Sequence, residues 1–420
     1  MKIKQHKSTY EEVMARPLPT HSKPESPNRF FQRLIHILSA HELKKVHFSC
    51  SSDGMERLSE GENALYLMNH SCFTDLMVAA DIIYPKPFHI ICTSDGFVGK
   101  SKLMRKIGCV PTHKFVTDPT LVKDMYYIAK NLGESILMYP EASYSFDGTA
   151  TPLPDSIGKL VKLLNIPVVM IQTYGAFLRD PLYNNLQIRK VRVTADVKYV
   201  LSPEEIAGKS AEELTSIIKA LFTFDNFRWQ QVNEVTVREH FRADYLNRVL
   251  YKCPHCLKEG GTVGSGKTLT CAACGKKYEL TVDGYMKALK GDTEFSHIPD
   301  WYAWEREEVK NEILSGSYSL DIPVKIGVLM DESSLYFIGE GRLTHSTEGF
   351  HLTSCDGKLD YYQKPSASYS LYSDYYWYEI GDMICIGDMK YLYYCFPIDG
   401  KDVVAKTRLA TEELYKLECK

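Results

Sequence analysis

Nowhere does the 420-residue chain approach the roughly 18 consecutive apolar residues of a membrane-spanning helix, so an integral helical membrane protein is not expected. Its first residues, Met1 to Pro27, are polar and proline-containing, with none of the apolar stretch of a secretory leader. No period of 20–50 residues runs through it, which argues against solenoids and propellers. At 44% hydrophobic, 25% charged and 12% aromatic, disorder and collagen-like repeats are excluded too. The length predicts two or three domains, each able to bury a core. Twelve cysteines without a leader point to a reducing compartment, where burial or metal binding is expected over disulfides.

The net charge of −3 hides an asymmetry. Residues 1–200 carry 25 Lys and Arg against 19 Asp and Glu, and residues 201–420 carry 25 against 34. A basic first half suits an anionic ligand or an anionic membrane surface better than whole-chain nucleic-acid binding.

The pattern divides the chain into five stretches. Residues 1–28 read as a mobile tail. Residues 29–250 open with an amphipathic helix, Arg29 to Phe48, that places Phe30, Leu34, Ile37 and Leu38 near one face. Such a helix either packs on the next domain or lies in a membrane interface. Strands follow at Ala64–Met68, Phe88–Thr93, Ser135–Tyr139 and Pro167–Thr173. Helical patterns fall between them, at Thr74–Ile83, Phe97–Ile107, Thr120–Leu132 and Asp155–Leu164. That alternation predicts βαβ units and a mostly parallel sheet flanked by helices. Two more strands are expected at Gln187–Thr194 and Asp196–Val200, then a mainly helical stretch to Leu250. Residues 251–283 form a cysteine module and 284–316 a linker helix. Residues 317–420 read as short strands closed by a helix over Val403–Leu417, a β-barrel or sandwich of pleckstrin-homology-like type. Its tyrosines (Tyr372, Tyr376, Tyr378) suit cross-strand pairs, with a lipid-headgroup or protein-binding surface as the functional alternative.

The strongest catalytic signal is Leu65 to Asp75, LYLMNHSCFTD. A strand ends at Met68, Asn69 and His70 sit at its carboxyl end, and a helix begins near Thr74; ligands of open α/β sheets bind at this edge. Five residues of separation would place His70 and Asp75 about 140° apart on one regular helix. With His70 on the preceding turn, Asp75 can instead reach an imidazole nitrogen. The carboxylate then fixes the tautomer, and the other nitrogen is left to take a proton from a hydroxyl. Cys72 beside them reads as a small buried thiol.

Three further blocks follow in order: Gly108-Cys109-Val110-Pro111-Thr112-His113-Lys114, then Tyr139-Pro140-Glu141-Ala142-Ser143-Tyr144-Ser145, then Ile166-Pro167-Val168-Val169. Together the four blocks resemble the glycerophospholipid acyltransferase superfamily, especially the 1-acylglycerol-3-phosphate (lysophosphatidate) acyltransferases. The family's N-H-x-x-x-x-D is matched in full by Asn69, His70 and Asp75. In its G-x-x-P-x-x-R, Gly108 and Pro111 match and Lys114 replaces Arg. In its F-P-E-G-T-R-S, Pro140, Glu141 and Ser145 are retained, while Ala142 replaces Gly and Tyr144 replaces Arg. In V-P-V-x-P, Pro167 is kept and Met170 replaces the second proline. The resemblance spans about residues 60–200. It implies His70 as general base, Asp75 as its orienting carboxylate, and Asn69, Lys114, Glu141 and Ser143 as substrate-binding residues. The departures fall on cations, so Lys100, Lys102 and Arg105 of the preceding helix join Lys114 as candidate phosphate partners.

Cys253-Pro-His-Cys256 and Cys271-Ala-Ala-Cys274, separated by fourteen residues, have zinc-ribbon spacing. Four thiolates make a closed structural zinc site with no open position for catalysis. His255 reads as a spectator. Between the knuckles, Gly261 to Thr268 fits the P-loop pattern letter for letter, but the mechanism needs a buried strand before it and a helix after it. A loop joining ribbon strands is expected instead.

By resemblance, then, the chain is expected to move a fatty acyl group from acyl-CoA or acyl-carrier protein to a hydroxyl of a lysophospholipid, at the cytoplasmic face of a membrane. Structural zinc, lysolipid, acyl thioester and a peripheral membrane surface are the expected partners, and nucleic acid is not. The alternative is a non-catalytic lipid-binding or scaffold protein that retains the fold.

Overall fold

Four apolar runs between Ala64 and Tyr174 become neighbouring strands because each is buried on both faces, as a central strand flanked by helices must be. In the computed structural model, which describes residues 2–400 and 402–419, they lie within a seven-stranded mixed sheet. Its order is Ser49–Asp53, Thr194–Leu201, Val168–Tyr174, Leu65–Met68, Ser135–Met138, Phe88–Thr93, Cys109–Thr112. All neighbours run parallel except Val168–Tyr174 and Thr194–Leu201, which are antiparallel. Alternation along one strand splits the core into two layers. Tyr66 and Met68 pack with Leu43, Val78 and Ile83 from helices on one face. Leu65 and Leu67 pack with Met125, Val161 and Ile218 from helices on the other. The carboxyl end of the Leu65–Met68 strand leads directly into Asn69 and His70, then into the Thr74–Ile83 helix.

Some local expectations are corrected. The helix expected over Phe97–Ile107 is a short turn at Ser94–Phe97 and a helix at Ser101–Lys106, broken where Gly99 takes a φ of +73°. The two strands expected between Gln187 and Val200 are one, Thr194–Leu201. Residues 187–193 stay irregular, held by the buried Arg189, whose guanidinium donates to the carbonyls of Leu178 and Arg242. Helix after Pro203 ends at Val232 apart from a single turn at Leu246–Arg248.

The tail expected to be mobile is anchored over much of its length. Gln5–Lys7 pairs in parallel with Leu335–Phe337, Ile3 and Val13 are buried, and Thr9 and Glu12 form a capping box on the Tyr10–Met14 helix. The reason is tertiary: the start of the Leu335–Ser346 strand extends past the Gly349–Ser354 strand, whose pairing begins at Gly341, and the tail covers that edge.

The cysteine module is a four-stranded antiparallel sheet that runs on through Met286–Ala288, past the expected boundary at 283. Leu269, Tyr278 and Leu280 join one continuous core with Trp301 of the Ile298–Leu314 helix. In the C-terminal module seven strands pair antiparallel in the order Leu359–Gln363, Gly349–Ser354, Leu335–Ser346, Leu320–Leu329, Leu392–Pro397, Gly381–Gly387, Tyr372–Trp377. The two end strands do not pair with each other, so of the barrel or sandwich expected the closed barrel is not formed and the sheet is open. Helix Val404–Glu418 packs beside it.

In this sheet the strands between Tyr372 and Pro397 are buried on both faces. Ile384, Ile386, Tyr393 and Cys395 face its own core, whereas Met383, Cys385, Tyr394 and Phe396 cluster with Val98, Phe115 and Val116 of the α/β half. That docking carries the C-terminal module onto the functional edge of the first sheet.

Candidate active site

His70 leaves the Leu65–Met68 strand at its carboxyl end, and the turn that follows is held by Asp75. The wholly buried Asp75 carboxylate accepts the backbone N–H of Ser71 at 2.6 Å and of Cys72 at 2.9 Å on Oδ2, and the Thr173 hydroxyl at 3.1 Å on Oδ1. Nδ1 of His70 stands 3.4 Å from Asp75 Oδ2. At this distance Nδ1 makes no hydrogen bond; catalytic hydrogen bonds are often long or poorly aligned before substrate binds and tighten afterwards. The imidazole lies between two aromatic rings, Tyr139 at 4.0 Å and Tyr144 at 4.2 Å between centroids. Burial pulls its pKa down from the usual histidine range, against the upward pull of Asp75, which favours the neutral, proton-accepting form.

Asn69 and Glu141 brace this turn. The Asn69 amide donates to the Thr173 carbonyl and accepts the Thr173 N–H, which ties the histidine turn to the neighbouring strand. Glu141 accepts the His70 N–H at 3.0 Å on one oxygen and the Thr151 N–H at 2.6 Å on the other. Burial pushes its carboxyl up to about 8, although these donors pull the other way. Asn69, Glu141 and Ser143 were expected to bind substrate. All three are buried and bonded within the protein, the Ser143 hydroxyl donating to the Tyr144 carbonyl, so their geometry is that of positioning groups.

The cations divide differently from the expectation. Arg105 pairs at 2.5 Å with Glu332 of the C-terminal module, which also accepts from the Ser101 hydroxyl. In this arrangement it makes an inter-module contact. Lys100 is half-buried at the start of the same helix, where it occupies the N-cap position. Lys114 is brought to the site: its Nζ lies 5.8 Å from the Tyr144 ring and 4.2 Å from the ring of Tyr372 in the C-terminal module.

Arg408 was missed by sequence reasoning. From the C-terminal helix its guanidinium donates to the Tyr144 carbonyl at 3.1 Å, stacks 4.4 Å over Phe146 and pairs with Glu412. A guanidinium thus reaches the loop where the family's arginine is absent, but it grips backbone. No periodicity or spacing could have signalled it.

Two backbone features explain block residues. A Cβ on Gly108, at a φ of +94°, would lie 2.8 Å from the Phe88 carbonyl oxygen, so that glycine is required. Ala142 sits at a φ of +53°, the left-handed region that a glycine would occupy without strain.

The sulfurs of Cys253, Cys256, Cys271 and Cys274 all lie within 4.8 Å of one another, with 3.8 Å and 3.7 Å for two of the pairs. Zn–S bonds of about 2.3 Å in a tetrahedron place sulfurs about 3.8 Å apart, so the quartet fits a metal of that size. The P-loop-like letters form a hairpin, Thr262–Ser265 against Thr268–Cys271, with no helix to hold phosphate. Among the described residues no helix is long and apolar enough to cross a membrane.

Residues 50–172 match the acyltransferase family model. No curated protein matches the chain in sequence. Among solved structures it is similar to the 1-acyl-sn-glycerophosphate (LPA) acyltransferase PlsC from Thermotoga maritima. The identity is 15%, over 46% of this chain and 76% of that one, with a TM-score of 0.39.

Proposed function

Starting from the premise that residues 50–172 form an acyltransferase-family domain, we propose that the chain transfers a fatty acyl group from acyl-CoA or acyl-carrier protein to a hydroxyl of a lysophospholipid or related glycerolipid. The observation that carries this reading is the buried His70–Asp75 pair at the strand end, braced by Asn69, Glu141 and Thr173. His70 Nε2 takes the acceptor hydroxyl's proton as its oxygen attacks the thioester carbonyl. The tetrahedral intermediate collapses with cleavage of the C–S bond, and the departing thiolate receives the proton from the imidazolium. Asp75 stabilises the imidazolium between the two transfers. No covalent enzyme intermediate is required, because the donor thioester is already activated. The raised thiol pKa of Cys72 fits a buried bystander.

Zinc in the cysteine quartet would be structural: four thiolates close its coordination and leave no position for substrate. Peripheral attachment to the cytoplasmic face of a membrane is supported by the Arg29–Lys45 helix. Its apolar stripe faces solvent, with Phe30 69% and Leu38 58% exposed, between Arg29, Arg33, Lys44 and Lys45.

The test is thioester consumption by purified protein with labelled acyl-CoA and a lysolipid panel. His70→Ala should lower it by about 10²–10⁴-fold with the fold intact. A loss below about tenfold would mean that His70 is not the base and that the scaffold reading is the better one.

A further inference from the structure

Between the His113–Val116 loop and the C-terminal module lies a cavity of about 320 Å³. Lys114 lines it together with Phe115, Tyr361, Leu371 and Tyr372, and the exposed Tyr362 stands at its rim. Its size falls in the range of small-molecule sites, roughly 300–1,000 Å³. It adjoins the catalytic centre across two side chains: Lys114, which lines it, lies 5.8 Å from the Tyr144 ring, and that ring lies 4.2 Å from His70.

The charge around it argues against a phosphate. A phosphomonoester carries about −1.5 to −2 charges at neutral pH and needs several charge-assisted donors once desolvated. Lys114 is the cation on the inner side, and burial pulls its pKa down. Two buried acids lie close to it: Asp95, which accepts from the Tyr372 hydroxyl at 3.1 Å, and Asp374 on the same strand as Tyr372. At the rim Lys364 and Asp388 cancel. Neither neighbouring arginine helps, since Arg105 is paired with Glu332 and Arg408 with Glu412. The remaining walls include aromatic faces, the aliphatic Val116, Ile386 and Leu392, and Ser366, Ser368 and Ser370. The last two serines donate to the Ser370 carbonyl and Glu412 but are able to accept, so these surfaces suit an uncharged hydroxyl group attached to a lipid chain.

We propose that this cavity binds the uncharged, hydroxyl-bearing headgroup of the acyl acceptor, so that the C-terminal module sets acceptor specificity for neutral glycerolipids. The assignment rests on the acyltransferase reading, but its binding step is measurable without turnover. Calorimetry with a short-chain monoacylglycerol and the chain-matched lysophosphatidate should show the neutral lipid binding at least about tenfold more tightly. Ala367→Trp, at the exposed rim, should abolish that binding. Ser366→Trp makes the same test if the first variant does not fold. Equal or tighter binding of lysophosphatidate overturns the proposal, as does monoacylglycerol binding that survives both substitutions. Turnover separates the two claims. A binding preference without His70-dependent thioester consumption keeps the headgroup site and refutes acyl transfer. His70-dependent consumption that does not favour the neutral acceptor keeps acyl transfer and refutes the headgroup site.

Discussion

The α/β half and the C-terminal module meet at one site but are wired to it in opposite ways. At the strand end the polar contacts stay within the α/β half: Asp75 accepts from Ser71, Cys72 and Thr173, and Glu141 from His70 and Thr151, none across more than 98 residues. The C-terminal contacts instead bridge long separations. Arg408 donates to the Tyr144 carbonyl across 264 residues, and Tyr372 to Asp95 across 277. The first region thus contains the chemistry, and the second encloses it and sets the charge around it. Burial of His70, Tyr144 and Lys114 at this junction makes their electrostatics a joint property of both regions.

That division can be broken experimentally, most forcefully through the ribbon that joins the two. Structural zinc sites carry about 10–16 kcal/mol of apparent binding free energy, and here the ribbon core continues into the core of the C-terminal module. Freshly purified protein should hold about one zinc per chain by elemental analysis. Cys271→Ser should lose it and show a large drop in thermal midpoint, while any folded fraction keeps acyl transfer. A zinc-free but fully stable protein would remove the ribbon from the structural account.

Next in size is Arg408. A charged hydrogen bond contributes about 1.5–3 kcal/mol, so Arg408→Gln should lower kcat by up to about a hundredfold with little change in the thioester KM. Arg408→Lys should recover only part, because an ammonium cannot bond Tyr144 and Glu412 with the same planar fork. Unchanged kcat would reduce the C-terminal helix to a passive cover.

The smallest effect is a slope. Burial pushes Asp374 from 3.8 up to about 7. Its folded-state pKa lies above the unfolded value, so the contribution to stability is complete below about 4 and is lost as pH rises through about 7. Urea midpoints should therefore fall across that window, and Asp374→Asn should flatten the fall. An identical pH profile in the variant would show that Asp374 ionises freely, and that Lys114 faces a less neutral surrounding than described.

Legibility in the sequence follows the same boundary. The Phe88–Thr93 strand and the Thr74–Ile83 helix were read to the residue, since burial on both faces and a helical apolar stripe are local patterns. The His70–Asp75 pairing and the cysteine quartet were legible for a like reason: short spacings constrain what a turn or knuckle can bring together. The tail was misread because its anchor, the free edge at Leu335–Phe337, lies more than three hundred residues away. The pairing of Arg105 with Glu332 spans 227 residues, so no local pattern signals it. Asn69 and Glu141 are expected from the sequence to bind substrate; their burial and their bonds to Thr173, His70 and Thr151 join residues 10 to 104 positions apart, which no local pattern signals.

By itself, the sequence determined the strand–turn–helix that presents His70, the glycine demanded at 108 and the pair of cysteine knuckles, because each is encoded within a few residues of backbone. Tertiary structure alone decided what surrounds them. Docking the outer apolar face of the Tyr372–Pro397 strands onto the α/β half desolvated Lys114, directed Arg408 to a carbonyl and left an aromatic cavity lined by Lys114. Charge and burial at a site depend on every group within a few ångströms, whatever its distance along the chain.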